Sequence, residues 1–150
     1  MTIEDALNQL GRQIGLELRL DAAGACRLVF DGRTTVDIEA PAGREGTVFL
    51  HSAVGLLPPS GAREAVYEDL LSSNLFGRDT GRAVLAIDGD LGEIVLFRQL
   101  DLAGTGYAAF ADAIEDFVAR TRAWTGRLQQ ARSTSAIADI DGTGAYGIRV

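Results

Sequence analysis

The first apolar pattern along the chain has the period of a helix. Apolar residues recur at steps of three and four positions over residues 2–14, which places them on one side of a helix. Thr2 can cap that helix, Asp5 lies near the positive end of its dipole, and Gly15 follows as a stop signal. We therefore predict an amphipathic helix at the start of the chain.

The next segments alternate between apolar and polar residues, as strands do. Leu28 and Phe30 alternate with residues 27, 29 and 31, and Val36 and Ile38 alternate with residues 37 and 39. These two segments flank a glycine turn at residues 31–33, which is typical of an antiparallel hairpin. A third strand is predicted over residues 47–54, with His51 in its middle. The first half of the chain thus predicts one helix followed by three strands.

The second half of the chain repeats both patterns. Pro58 and Pro59 end the third strand and precede a second helix, predicted over residues 60–75. Two further strands, in the segments RAVLAID and EIVLFRQL, are joined by the polar linker GDLG. A long third helix, predicted over residues 106–130, carries an apolar stripe that can cover one face of the sheet. Both late strands are apolar on two faces, so a second subunit could cover the other face.

The order of these elements predicts an α+β fold, α-β-β-β-α-β-β-α, with an antiparallel sheet packed by helices. A length of 150 residues is typical of one domain. The last segment lacks a helical period and is rich in Ser, Thr, Gly and Ala. We therefore predict a domain over residues 1–131 and a flexible C-terminal extension over residues 132–150. Alternatively, the final segment AYGIRV could add as an edge strand to another chain.

Two motifs in this extension match known ligand-binding patterns. Gly142, Gly144 and Gly147 have the spacing of the dinucleotide-binding fingerprint, and Asp139 and Asp141 match the opening of a calcium loop. Neither the helix that follows a nucleotide fingerprint nor the carboxylate that closes a calcium loop is present in the sequence. We therefore expect no nucleotide and no calcium ion at these residues.

Composition and charge restrict the partners. The hydrophobic fraction of 47% and the charged fraction of 23% are typical of a soluble globular protein. The apolar runs are too short to cross a bilayer, and the first residues lack a secretion signal, so we expect a cytoplasmic protein. A net charge of −7 repels phosphate backbones and anionic lipids. We therefore expect neither nucleic acid nor a membrane among its partners.

The sequence lacks the residues that the common kinds of catalytic and metal site require. All fourteen basic residues are arginine, which excludes a Schiff-base lysine and a P-loop lysine. Cys26 and His51 are the only residues of their types, so we expect no internal disulfide and no zinc cluster. We interpret His51 as a hydrogen-bonded structural side chain and Cys26 as a small hydrophobe. The acidic residues of the second and third helices fit solvated surfaces. The sequence therefore predicts no enzyme, no metal and no cofactor.

One long segment carries a family resemblance. The sequence LLSSNLFGRDTGRAVLAID, followed by GEIVLFRQLDL, resembles the class I type III secretion chaperones of the Tir-chaperone family. That family shows a leucine-rich helix end, an Asn-Leu-Phe-like step, a glycine, and then an apolar strand that ends in Asp before a Gly-Glu hairpin. The opening helix, with Leu7, Leu10 and Gly11 followed by IGL, is similar as well. The resemblance covers about residues 2–130 and consists mainly of a pattern of apolar positions.

The resemblance implies a homodimeric, ATP-independent chaperone that performs no chemistry. Such a protein would bind the N-terminal non-globular segment of one or more secreted effectors in the bacterial cytoplasm and keep it competent for secretion. The alternative is a regulatory or sensory protein-binding module of the same fold outside secretion.

The resemblance also assigns apolar residues to two surfaces. The second helix and the late strands would form the dimer contact, with the candidates Leu70, Leu71, Leu75, Val84, Ala86, Val95 and Phe97. The first helix and the early strands would bind the effector, with the candidates Leu7, Leu10, Ile14, Val29, Val36 and Ile38. Each of these residues fits an ordinary core position equally well, because both roles require an apolar side chain.

Overall fold

The structure, a computed structural model, describes the backbone of residues 1–142 and the side chains of residues 1–135. Within this part the elements are α1 (Ile3–Ile14), β1 (Ala25–Phe30), β2 (Thr34–Glu39), β3 (Thr47–Leu56), α2 (Arg63–Asn74), β4 (Val84–Asp88), β5 (Glu93–Asp101) and α3 (Tyr107–Gly142). The five strands form one antiparallel sheet in the order β1-β2-β3-β5-β4. The predicted α+β fold and its element order are confirmed.

Helix α1 begins and ends at the residues that its sequence predicts. The Thr2 hydroxyl accepts a hydrogen bond from the Asp5 amide at 3.1 Å, and the Thr2 amide donates to the Asp5 carboxylate at 3.4 Å. Gly15 ends the helix with a φ of 74°, a left-handed conformation that glycine adopts without strain. The chain then folds back so closely that a Cβ on Gly11 would lie 2.4 Å from the carbonyl oxygen of Leu16.

The hairpin of β1 and β2 is confirmed, and its turn is tied to α3. Asp31 and Gly32 have φ values of 52° and 65°, which the tight turn between the two strands requires. The Arg122 guanidinium of α3 forms an ion pair with Asp31 and donates to the Thr34 hydroxyl. This contact fixes one end of the sheet against the long helix.

One face of the sheet, here called the covered face, packs into the core with α1 and α3. The sheet contributes Cys26, Leu28, Val36, Ile38, Val48, Leu50, Val54, Leu85, Ile94, Leu96 and Leu100. Of the stripe predicted on helix α3, Tyr107 is half-buried against the core, and the others are buried, namely Phe110, Ile114, Phe117, Val118, Trp124 and Leu128. The Trp124 indole N–H donates to the carbonyl of Asp79 at 3.2 Å, so this large side chain has a polar partner in the core.

Three boundaries differ from the sequence prediction. Strand β3 continues to Leu56, α2 begins at Arg63 after a short 3-10 turn, and α3 continues to Gly142 instead of ending near residue 130. The first part of the predicted extension is therefore helical. The hydroxyls of Ser133, Thr134 and Ser135 each donate to the carbonyl four residues earlier, so these polar residues are accommodated in a helix.

Most of the remaining extension lies outside the described part of the chain. That undescribed part contains all or most of the nucleotide-like motif, the calcium-like motif and the AYGIRV segment. These motifs and the flexibility of the extension therefore remain predictions.

Candidate protein-binding surfaces

The second face of the sheet, here called the open face, carries side chains that are exposed or half-buried. The strand register arranges them in rows across β3, β5 and β4. Phe97 of β5 faces His51 on one side and Val84 on the other. In the next row, Val95 faces Ala53 and Ala86. The β3, β5 and β4 part of the open face is therefore mainly apolar, and we call it the apolar half.

The part of the open face on β1 and β2 is charged. Arg27 donates two hydrogen bonds to the Asp37 carboxylate, at 2.7 and 2.9 Å. Hydrogen bonding to Asp37 raises the pKa of the Arg27 guanidinium above its ordinary value. At the boundary with the apolar half, the His51 Nε2 atom lies 3.0 Å from the Glu39 carboxylate. This charged half suits water, whereas the apolar half suits contact with protein.

The arrangement of Cys26 and His51 excludes a catalytic pair between them. Cys26 is buried on the covered face, and burial raises the pKa of its thiol. His51 is on the open face with Glu39 as its partner. A raised pKa keeps the thiol protonated at neutral pH, which is the unreactive form. Within the described residues, no group of three or more His, Cys, Asp or Glu side chains could hold a metal ion.

Helix α2 presents a second apolar surface beside the apolar half. The side chain of Leu71 is 71% exposed and that of Leu75 is 50% exposed. Two sets of contacts fix the helix: Asn74 bonds to the backbone of Leu85, and Arg127 of α3 forms ion pairs with acidic residues of α2 and the following loop. The exposed leucines are thus held at the C-terminal end of a helix that is anchored from its opposite side.

Six of the seven predicted dimer residues lie on these two surfaces. Leu71 is on α2 and Leu75 directly follows its last residue. The other four, Val84, Ala86, Val95 and Phe97, are on the apolar half. Leu70 is the exception, because its side chain is buried in the core of the same subunit. Adjacent helical residues point about 100° apart, so Leu70 and Leu71 face opposite environments.

Phe76 is an exposed aromatic residue that the sequence prediction did not single out. Its side chain is 96% exposed, and its φ of 55° is left-handed, which is uncommon for a residue other than glycine. It lies two residues after Asn74, the last residue of α2, and precedes Gly77, which also has a positive φ. The Asn-Leu-Phe-Gly step in the sequence was the available signal, but it did not indicate that the ring points into solvent.

The predicted effector-binding residues divide between core and surface. Leu7, Leu10, Val36 and Ile38 are buried, so their assignment to an accessible groove needs correction. Ile14 is 42% exposed and lines a groove of about 290 Å³ together with Phe30, between α1, β1 and α3. Val29 is 58% exposed but lies on the open face, because alternate strand residues point to opposite sides. The structure therefore does not bring Ile14 and Val29 together.

Several known proteins share this fold. The structure matches SchA with bound HopA1, a chaperone–effector complex, with a TM-score of 0.68, 15% identity, and coverage of 83% of this chain and 93% of that chain. It also matches the Yersinia pestis type III secretion chaperone SycH, in complex with a fragment of YscM2, with a TM-score of 0.62 and 22% identity. The latter match covers 82% of this chain and 99% of that chain. At these identities the matches show the fold.

Sequence comparison extends the likeness beyond the fold. A protein of Chlamydia pneumoniae is 32% identical over 111 residues, which are 74% of this chain and 82% of that protein. None of the helices within residues 1–142 combines the length and apolar character that crossing a membrane requires. Residues 5–125 match the model of one family, and this matched range includes both candidate surfaces. The chain therefore belongs to the Tir chaperone protein (CesT) family.

Proposed function

We propose that this protein is a homodimeric, ATP-independent chaperone of type III secretion that acts in the bacterial cytoplasm. Its client is the N-terminal non-globular segment of one or more secreted effector proteins, which it keeps competent for secretion. The observation that carries the proposal is the amount of apolar surface that one subunit leaves accessible on α2 and the apolar half. Family membership and the chaperone–effector complexes of the same fold support it.

The dimer contact is the first part of the proposal. Leu71, Leu75 and Val84 would leave water if a second subunit covered α2 and the apolar half. Full burial of one aliphatic side chain is worth roughly 1.5 to 3 kcal/mol, so a few such residues on each subunit can support a stable pair. Association also loses translational and rotational freedom, which offsets part of this gain.

The client contact is the second part of the proposal. Within the described residues, β1 is the terminal strand of the sheet and pairs with β2 alone, so its outer edge can bond an extended peptide. Ile14 and Val29 lie on either side of this edge strand and can take alternate side chains of the peptide. Such binding requires no rigid pocket, which suits a client without globular structure.

Capture of partners from the native cell by the tagged protein, followed by truncation of each partner, tests the client contact. We expect a secreted protein whose binding is lost when its N-terminal non-globular segment is removed, and whose binding does not change when ATP is added. Ile14→Asp and Val29→Asp should each weaken binding of that segment about tenfold, because each loses roughly 1.5 kcal/mol of apolar contact.

Leu91→Asp is the matched control, because Leu91 is also exposed but lies at the turn between β4 and β5. It should bind the segment as the unchanged protein does. If Ile14→Asp and Val29→Asp also bind normally, the client contact is elsewhere. A partner that binds only through a folded enzyme or kinase domain would instead support a regulatory protein-binding module.

A further inference from the structure

One side of α2 changes in character along its length. Glu64, Glu68 and Leu71 are spaced at positions i, i+4 and i+7, which places them in one row along α2. Leu75, at i+11, directly follows Asn74, the last residue of the helix. All four are exposed. We call this row the α2 stripe. Its first half is acidic and its second half is apolar, whereas the buried Leu70 anchors the opposite side of the helix.

Basic residues follow directly after the α2 stripe. Arg78 and Arg82 lie in the connection between α2 and β4, and both are exposed. Within the described residues, neither of them forms an ion pair, and the same holds for Glu64 and Glu68. Along the chain the order is therefore two acids, an apolar centre and two bases, none of them in an ion pair with another described residue.

Two-fold symmetry converts this order into a self-complementary surface. In a two-fold dimer the same patch meets itself, and a helix crossed by an axis perpendicular to it packs antiparallel to its copy. If the axis passes near Leu71, that residue meets Leu71 of the partner subunit. Glu64 lies seven residues before this centre, roughly 10 Å along the helix, whereas Arg78 lies in the connection beyond Asn74, where the Asp79 amide bonds to the Ser73 carbonyl at 3.2 Å. Antiparallel packing then brings the acidic start of α2 towards the basic connection of the partner subunit.

We propose that the α2 stripe, together with Arg78 and Arg82, sets which chain this protein pairs with and in which register. The occupant of the surface is a second copy of this chain, placed antiparallel so that acids meet bases at both ends. A copy placed parallel, or shifted along the helix, would bring like charges together, which is unfavourable. This inference rests on the proposed homodimer and adds to it a specific charge pattern.

A charge exchange tests this pattern. In one variant, Glu64 and Glu68 are both replaced by Arg; in the other, Arg78 and Arg82 are both replaced by Glu. Each variant alone should dimerise between about 10-fold and 100-fold more weakly than the unchanged protein at low salt, because symmetry makes every reversal count twice. An equimolar mixture of the two variants should form a heterodimer with most of the original affinity. Sedimentation velocity measures both results.

The matched control replaces Asp112 and Glu115 with Arg, which changes the charge equally on an exposed part of α3. This variant should dimerise as the unchanged protein does. Circular dichroism establishes whether each variant is folded. Where a reversal unfolds the chain, Glu64→Gln with Glu68→Gln serves instead, and its dimer should depend less on salt concentration than the original dimer.

The possible outcomes separate this inference from the proposed function. The charge pattern is overturned if both reversed variants dimerise normally, if their mixture stays monomeric, or if the glutamine variant keeps the full salt dependence. In each case a dimeric, client-binding original protein leaves the proposed function intact. A monomeric original protein overturns the proposed homodimer itself.

Discussion

At the scale of single residues, Asn74 makes the two backbone hydrogen bonds that a neighbouring strand would normally make. Its side-chain amide donates to the Leu85 carbonyl at 3.0 Å, and its side-chain oxygen accepts from the Leu85 amide at 2.8 Å. Strand β4 is the terminal strand on its side of the sheet, so this pair of bonds satisfies backbone groups at an outer edge. Asn74 thereby protects the outer edge of β4.

Removing this side chain has a predictable cost. Asn74→Ala should lower the free energy of unfolding by about 1 to 3 kcal/mol, because the amide and carbonyl of Leu85 would lose their partners. It should also promote aggregation, because the β4 edge becomes available for pairing. Urea denaturation at a fixed protein concentration measures the first effect. Asn8→Ala, at an exposed site on α1, is the control and should change stability by less than about 0.5 kcal/mol.

A second residue, Arg98, shows what alternation in the sequence cannot predict. Arg98 occupies a covered-face position in β5, between the buried Leu96 and Leu100, and is itself buried. Its guanidinium lies 3.3 Å from the Asp116 carboxylate of α3, and burial lowers the pKa of Arg98 from its ordinary value. Alternation predicts that position 98 points inward, but only the packing of α3 supplies the carboxylate that makes a buried arginine tolerable.

At the scale of whole elements, two helical glycines have opposite roles. Gly11 of α1 lies against the backbone of Leu16, whereas Gly126 of α3 has open space where a Cβ would be. Both residues lie within helices, where glycine is less favourable than alanine by about 0.5 to 1 kcal/mol. The close return of the chain after α1 therefore requires a glycine at position 11, and nothing in the packing requires one at position 126.

These two glycines give a matched pair of substitutions. Gly11→Ala should destabilise the protein by about 2 kcal/mol or more, because the new methyl group would meet the rigid Leu16 carbonyl oxygen at 2.4 Å. Gly126→Ala should stabilise it by about 0.5 to 1 kcal/mol, because a helical site without neighbours gains from the better helix former. Thermal or urea denaturation measures both. Equal effects of the two substitutions would contradict the close approach at Gly11.

Elements with strong periodicity could be predicted, whereas their limits could not. The capping residues of α1 and the turn of the first hairpin are local signals, so the sequence located both correctly. The end of α3 was placed too early, because a segment rich in Ser and Thr has no apolar stripe. In the structure, side-chain hydroxyls of residues 133–135 bond to the preceding helical turn. This compensation depends on a helix that already exists and leaves no pattern in the sequence.

At the scale of the whole molecule, the proposed homodimer makes stability depend on protein concentration. For a dimer that unfolds to two separate chains, each tenfold increase in concentration adds about 1.4 kcal/mol to the apparent stability. The unfolding midpoint of the original protein should therefore rise with concentration. Leu71→Glu and Val84→Glu should yield monomers or aggregates, and the midpoint of any folded monomer should stay constant. An original protein whose midpoint is the same over a hundredfold range of concentration would contradict the homodimer.

The division between local and tertiary information explains which parts of the candidate surfaces were predictable. Apolar spacing alone determined the fold class, the order of the elements and the two-faced character of the late strands, because these depend on side-chain direction within one helix or strand. It could not separate Leu70 from Leu71, or Val36 from Val29, because core and surface positions can both be apolar. The tertiary structure decided this, since burial depends on which neighbouring element packs against each face. It also exposed Phe76 and, among the residues that the structure describes, left Glu64 and Glu68 without an ion pair.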